Sequence, residues 1–271
     1  MDIPEETPQP HKRRVRYSGR NPRRFSEKYK ELNPGKYAGD VAHIIAKGMT
    51  PAGTHRPVCV SEILEILGPK PGEVCLDATL GYGGHSEQIL PRLLPGGKLF
   101  AWDVDPLELP RAEARLRALG FGEEVFVARK MNFAGAASLL PEAGGGFNCV
   151  LADLGVSSMQ LDNAERGFTY KADGPLDLRL NPGRGKPASE MLKAVSEAAL
   201  EKMLSEYADE PYARDIARAV KTAPLPVTST AQLAEAVRDA LKELAPKIDE
   251  ATLKKSLQRV FMALRIGVNE E

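Results

Sequence analysis

The chain has 271 residues, three cysteines and four histidines, and its 37 basic residues balance its 37 acidic ones, giving a formal net charge of zero. This length suits one large domain, or one domain that carries an insertion. No apolar stretch is long enough to cross a bilayer and no secretion signal is present, which predicts a cytoplasmic protein without a membrane partner.

Cys59, Cys75 and Cys149 form no Cys-x-x-Cys pair, so we expect small buried thiols in a reducing compartment. The histidines lack metal-ligand spacing, so no metal site is predicted.

Residues 1–53 are expected to form a basic N-terminal extension. Between residues 11 and 30, nine Lys and Arg side chains accompany a single acid, Glu27, and aromatic residues are interleaved with them. Such a segment has too little apolar surface to fold alone, and it has the composition of an arm that binds phosphates and stacks on bases. A solvated tail without a partner is the alternative.

The most informative segment is a strand that runs into a glycine-rich turn. Residues 74–76 predict a buried strand, Gly81 and Gly83 permit an unusual backbone path, and Ser86 begins a predicted helix whose free N–H groups face the turn. A second predicted strand ends at Asp103, the position from which an acid holds a ribose. A dinucleotide site would have a third glycine where Ser86 stands. A nicotinamide or flavin cofactor and a turn without any ligand both stay open at this point.

A second cluster follows the buried run at residues 147–152. Asp153 begins an Asp-x-Gly turn at the end of this predicted strand, and Gln160 follows it. Chemistry in an open parallel sheet occurs at the carboxyl ends of the strands, so Asp153 should face the ligand held by Gly83 and Gly84. A purely structural turn is the alternative.

Beyond residue 186 the pattern changes from sheet to helix. Apolar residues recur at helical spacing over residues 200–207, 233–244 and 253–264, and prolines separate these runs. We therefore expect a helical lobe over residues 186–271, after a core over residues 54–185.

Several runs, taken in chain order, form one pattern from about residue 54 onward. They are His55–Val58, Asp77–Ser86, Asp103–Pro106, Asn132–Phe133, Asp153–Asp162, Arg166–Phe168, Asp173–Arg179 and Ala263–Asn269. This pattern resembles the S-adenosylmethionine-dependent N4-cytosine methyltransferases of bacterial small-subunit ribosomal RNA. The resemblance implies a Rossmann-like class I methyltransferase fold: an α/β structure whose truncated parallel sheet has strand order 3-2-1-4, with an inserted helical domain that helps to recognise the substrate.

The resemblance also implies a cofactor site. Its positions are Gly83, Gly84 and His85 around the methionine end, Asp103 at the ribose, Phe133 against the adenine, and Asp153 and Gln160 as the remaining contacts. The implied reaction transfers a methyl group from S-adenosylmethionine to the exocyclic N4 amine of a cytosine, with ribosomal RNA or the small ribosomal subunit as the partner.

Asp153 is the expected catalytic residue. It stands where amino-methyltransferases carry an Asp or Ser followed by two prolines and an aromatic residue, and it can accept a hydrogen bond from the amine and then its proton. Residues 154–156 replace the prolines and the aromatic residue. Phe168 and Tyr170 are then the nearest candidates for the aromatic clamp on the base.

Two other functions stay open in the sequence. A nicotinamide oxidoreductase would use the same glycine turn, but it leaves residues 153–162 unexplained. A catalytically impaired relative would bind S-adenosylmethionine or RNA without transferring a methyl group. This second alternative arises because the family pattern continues with further strands after Glu271. Three possibilities stay open in the sequence: a fragment, a compensating homodimer and a degenerate family member.

Overall fold

The structure, a computed structural model, describes residues 57–244 and 248–271. The basic extension predicted for residues 1–53 lies outside the described residues. Four strands form one parallel sheet: β1 (Val74–Asp77), β2 (Lys98–Asp103), β3 (Phe126–Lys130) and β4 (Cys149–Leu151). Their spatial order is β3-β2-β1-β4, which confirms the predicted order 3-2-1-4.

The sheet is covered on both faces because its strands alternate between two apolar clusters. Leu99 and Ala101 of β2 pack in one cluster with helix residues, whereas Phe100 and Trp102 pack in the other. Helix α1 (Val60–Leu67) precedes β1, helices α2 (Gly84–Leu93) and α3 (Glu108–Ala118) follow β1 and β2, and a 3-10 helix spans Phe133–Leu139 after β3. Helix α2 begins two residues before the predicted start at Ser86, because Gly83 in the left-handed region acts as its N-cap.

The cysteines differ from the sequence expectation. Cys75 and Cys149 are register partners on β1 and β4, their Cα atoms are 4.8 Å apart, and they form a disulfide. Both are buried as expected, but Cys59 is exposed. The prediction of three buried free thiols was wrong in these two respects, because a sequence separation of 74 residues hides a pairing that only the sheet register creates.

Beyond residue 187 the described chain is mainly helical, as the apolar spacing predicts. A short helix α4 (Ser158–Asp162) and a 3-10 turn (Ala164–Arg166) precede the lobe, whose helices are α5 (Ala188–Ala194), α6 (Glu197–Ala208), α7 (Ala213–Thr222), α8 (Thr230–Leu244) and α9 (Glu250–Asn269). The three predicted apolar runs lie in α6, α8 and α9. The core of the lobe also includes Phe168, Leu176 and Leu178 from the connecting segment. Within the described ranges, no helix is long and apolar enough to cross a membrane.

Candidate cofactor and active site

The glycine turn after β1 has the geometry of a ligand-binding turn. Gly81 and Gly83 have φ angles of 50° and 82°, in the left-handed region that favours glycine. A Cβ atom at Gly84 would overlap the ring of Pro57. The three glycines therefore keep the backbone close to its neighbours, and the free N–H groups of α2 begin at this turn.

Asp77 holds the two sides of this turn together. One carboxylate oxygen accepts a hydrogen bond from the hydroxyl of Ser86 at 2.6 Å, and the other accepts one from the N–H of Thr79 at 3.1 Å. Burial of this carboxyl raises its pKa above the ordinary value. Sequence reasoning gave Asp77 and Ser86 no such role, although the Asp-x-Thr spacing is that of a side chain that bonds the backbone two residues on.

Arg115 of α3 supports the turn from a neighbouring helix. Its guanidinium donates hydrogen bonds to the carbonyl oxygen of Tyr82 at 2.9 and 3.2 Å, lies 4.5 Å from the centre of the Tyr82 ring, and pairs with Glu87. This contact joins residues 33 positions apart. No local sequence signal identifies it.

Asp103 stands at the end of β2, as the sequence predicts. Its Oδ2 accepts the N–H of Gly81 at 2.7 Å, and its Oδ1 accepts the N–H of Asp105 at 2.9 Å. Burial raises the pKa of the Asp103 carboxyl above its usual range. The acid after β2 is therefore fixed beside the glycine turn, where it can accept the two hydroxyl groups of a ribose.

Asp153 follows β4 and lies on the other side of the turn. Its N–H donates a hydrogen bond to Thr79 Oγ1 at 2.7 Å, and its side chain is 50% exposed. His85 Nε2 lies 3.6 Å from Asp153 Oδ2 and has no hydrogen-bond partner among the described residues, although this atom is buried. The structure thus brings Asp153, His85 and the glycine turn to one edge of the sheet.

Two further predicted residues, Phe133 and Gln160, differ in their surroundings. Phe133 is exposed at the start of its 3-10 helix, where Asn132 Oδ1 accepts the N–H of Ala134. Gln160 is buried, and its amide already bonds Ser157 N–H at 2.8 Å and Asp105 Oδ2 at 2.7 Å. Contact of either residue with the cofactor stays a prediction.

The two candidates for the aromatic clamp, Phe168 and Tyr170, both pack against the lobe core. Phe168 is buried in the lobe core with the guanidinium of Arg166 5.6 Å from its ring centre, and Tyr170 packs edge-on against Phe261. Phe168 is too deeply buried to stack on a base, so that candidate was wrong, whereas Tyr170 is only partly buried and its contact with the base stays a prediction. Leu154, 64% exposed and next to Asp153, is the apolar side chain that this loop offers instead.

These residues fit S-adenosylmethionine. The Asp103 carboxylate suits a ribose diol, helix α2 begins at the turn without a side-chain cap, and the buried His85 Nε2 without a hydrogen-bond partner lies near Asp153 at the same edge. In the described part of the chain no group of three or more His, Cys, Asp or Glu side chains has the arrangement of a metal site.

The sheet order, the glycine turn after β1 and the acids after β2 and β4 define a Rossmann-like methyltransferase. The chain belongs to the MraW methylase family, whose model matches residues 52–271. It is 52% identical over 274 residues to "Ribosomal RNA small subunit methyltransferase H 2" of Alkaliphilus metalliredigens, covering 100% of this chain and 77% of that protein. It is 47% identical over 272 residues to "Ribosomal RNA small subunit methyltransferase H 1" of Lachnoclostridium phytofermentans, covering 99% and 74% of the two chains.

Family membership removes the nicotinamide alternative. Enzymes of this family use S-adenosylmethionine as the methyl donor. The glycine turn, which a nicotinamide cofactor would also use, is therefore explained by S-adenosylmethionine binding.

Proposed function

We propose that this chain transfers a methyl group from S-adenosylmethionine to the exocyclic N4 amine of a cytosine in small-subunit ribosomal RNA, in the cytoplasm. The observation that carries the proposal is the half-exposed Asp153 carboxylate, fixed through its backbone to Thr79 beside the glycine turn. The relatives named above carry small-subunit ribosomal RNA in their names, which supports the RNA substrate.

The proposed site acts mainly by positioning. The cytosine amine is a poor nucleophile because its lone pair is delocalised into the ring, so an acceptor that bonds an amine hydrogen makes that pair available. Asp153 is this acceptor in the proposal. When bound, S-adenosylmethionine supplies a methyl group on a positively charged sulfur. Holding the two reacting atoms in near-attack geometry contributes roughly 7 to 11 kcal/mol.

Asp153 also receives the proton in this scheme. As the nitrogen–methyl bond forms, the bond between the methyl group and the donor sulfur would break and S-adenosylhomocysteine would leave. The nitrogen becomes positive, and a nearby carboxylate stabilises that charge. The proton then passes from the nitrogen to Asp153 and, through the exposed side of the carboxylate, to water. In the proposal His85, whose Nε2 lies 3.6 Å from Asp153 Oδ2, contacts the methionine end of the cofactor beside this carboxylate.

Three other parts of the proposal concern organisation. We infer a methyltransferase core over residues 54–185, a substrate-recognition lobe over residues 186–271, and association of two chains. In support of the last, β4 pairs only with β1 among the described strands, and Val150 on it is half-exposed. Sedimentation at several protein concentrations tests the association, and a single monomeric species throughout would exclude it.

The test of function is direct. The chain is incubated with S-adenosylmethionine and with small-subunit RNA that lacks the mark, both free and within the ribosomal particle, and nucleosides from the digested RNA are identified by mass spectrometry. We expect N4-methylcytidine, its loss in Asp153→Asn, and its retention in Asp239→Asn, which changes an exposed acid on α8. Absence of N4-methylcytidine with both substrates, at a cofactor concentration that saturates binding, would leave the impaired-relative alternative.

A further inference from the structure

A buried ion pair lies between the cofactor side of the molecule and the helical lobe. Asp105 is 0% exposed and Arg166 is 6% exposed, and Arg166 Nη1 lies 2.9 Å from Asp105 Oδ2. Burying two charges is expensive, and well-packed apolar residues often stabilise such a position as well or better. The stability of the fold therefore gives no sufficient reason for this pair.

On one side, the pair is bonded to the acid that we assign to the ribose. The N–H of Asp105 donates to Asp103 Oδ1 at 2.9 Å, and Asp105 Oδ1 accepts the N–H of Leu107 at 2.8 Å. Asp103 in turn accepts the N–H of Gly81 in the glycine turn. The position of Asp105 thus fixes the turn after β2 that carries Asp103.

On the other side, the pair is bonded to residues 178–180, the segment that leads into the helical lobe and is here called the lobe entrance. Arg166 Nη2 donates to the carbonyl oxygens of Arg179 and Leu180 at 3.1 and 2.9 Å. The same segment is held by Asn269 at the end of α9, whose side chain accepts the N–H of Leu180 and donates to the carbonyl oxygen of Leu178. Leu178 is buried with a φ of 64°, so this segment is kept in a strained conformation by its surroundings.

A third branch reaches the candidate catalytic loop. Gln160 Nε2 donates to the same Oδ2 of Asp105 at 2.7 Å, and Gln160 Oε1 accepts the N–H of Ser157, four residues after Asp153. The carboxylate of Asp105 therefore connects the ribose turn, the catalytic loop and the lobe entrance.

We infer that Asp105 and Arg166 are positioning residues that couple cofactor binding at Asp103 to RNA binding by the helical lobe. The pair touches no reacting atom in this scheme. It transmits a small adjustment of the Asp103 turn to residues 178–180, because direct hydrogen bonds hold both of its ends. The inference rests on the proposed function, since it takes RNA as the ligand of the lobe.

Coupling of this kind is reciprocal and measurable. The affinity for small ribosomal subunits that lack the methyl group is determined with and without saturating S-adenosylhomocysteine, which fills the cofactor site without reacting. For the wild-type chain we expect the RNA dissociation constant to change by at least about fivefold, the lower range for coupled sites. Arg166→Gln should reduce this factor to below about twofold, even where the affinity for S-adenosylhomocysteine is retained.

Arg117→Gln is the matched control. Arg117 also donates to two backbone carbonyls, pairs with an acid and lies over a phenylalanine ring, but it does so at the far end of α3. We expect this variant to keep the wild-type coupling. Equal loss in both variants would overturn the inference, because the effect would then follow from general loosening of the fold.

A second variant keeps the test decisive if Arg166→Gln does not fold. Arg166→Lys retains a positive charge facing Asp105, but its single nitrogen cannot take the positions of the two guanidinium nitrogens that bond the carboxylate on one side and the two carbonyls on the other. We expect it to fold and to lose coupling. Retention of wild-type coupling in a folded Arg166→Lys, or a wild-type chain without coupling, would overturn the inference.

Methyl transfer measured on the same samples separates the two proposals. Wild-type protein that methylates the RNA but shows no coupling counts against the positioning role alone. Wild-type protein that forms no N4-methylcytidine counts against the proposed function.

Discussion

Both carboxylate oxygens of Asp103 accept backbone hydrogen bonds before any ligand arrives, from Gly81 and Asp105. A carboxylate has about four acceptor positions, so two remain for a ribose diol. Each hydrogen bond to a charged acceptor contributes about 1.5 to 3 kcal/mol. We therefore expect Asp103→Ala to weaken S-adenosylmethionine binding at least about tenfold in calorimetry. An unchanged dissociation constant would remove Asp103 from the site.

Substitution of Asp153 should affect the rate of methyl transfer much more than the affinity for the cofactor. If Asp153 mainly orients the amine and takes its proton, Asp153→Ala should lower the rate of methyl transfer by about 100-fold or more, the range for removing one transition-state interaction. Its effect on cofactor affinity should be much smaller. Single-turnover rates and calorimetry on the same variant measure the two effects. Parallel losses would instead make Asp153 a cofactor ligand only.

Asp77 gives the fold a pH dependence whose sign follows from burial. Because burial raises its pKa, the folded chain binds this proton more tightly than the unfolded chain does. The free energy of unfolding should therefore fall as pH rises from about 4, the ordinary value, through the raised pKa. Asp77→Asn removes the ionising group and should make this dependence shallower.

Denaturant unfolding at a series of pH values checks this prediction. Trp102, the single tryptophan of the chain, is buried on β2 and reports unfolding by its fluorescence. Asp239→Asn makes the same substitution on an exposed part of α8 and should leave the dependence unchanged. A steeper dependence in Asp77→Asn than in the wild type would contradict the sign.

At the scale of elements, the packing of α3 against the glycine turn decides how firmly the turn is held. Arg115→Ala removes two hydrogen bonds to the Tyr82 carbonyl and the interaction with its ring. We expect S-adenosylmethionine affinity to fall by about tenfold, the equivalent of one charge-assisted bond, because the turn then loses its preset shape. Arg111→Ala removes a half-exposed arginine from the same helix, and this variant should bind S-adenosylmethionine with the wild-type affinity. Equal affinities for the two variants would show that the turn needs no support from α3.

The elements also show what a sequence can and cannot predict here. The strand ends that carry Asp103 and Asp153 follow from apolar runs and from the chemistry of parallel sheets, whereas the strand order was implied by the family resemblance and is confirmed. Arg115 and Arg166 escaped prediction because each bonds carbonyl groups that only folding brings near. Phe168 was named as a candidate clamp because it follows the Asp153 loop in the sequence, whereas the lobe core buries its ring.

At the scale of the whole molecule, the formal charge of zero conceals two opposed regions. Residues 1–30 carry nine of the basic side chains and four acids, which leaves residues 31–271 with a formal net charge of −5. An acidic body repels RNA, so the basic extension should supply much of the electrostatic attraction. Deleting residues 1–30 should weaken RNA binding and flatten its salt dependence, by about 0.7 in the logarithmic slope for each phosphate that is no longer neutralised. Cofactor affinity should not change.

Filter binding over a salt series measures how RNA affinity depends on salt for the wild-type chain and for the deletion. A second variant keeps residues 1–30 but changes the nine basic residues to glutamine, which removes the charge of the arm and keeps its length. The deletion and the glutamine variant should then behave alike, because the attraction depends on charge rather than on the presence of a tail. If the deleted chain keeps the wild-type slope, the extension is a passive tail. Recognition would then depend on the helical lobe, where the coupling through Asp105 and Arg166 ends.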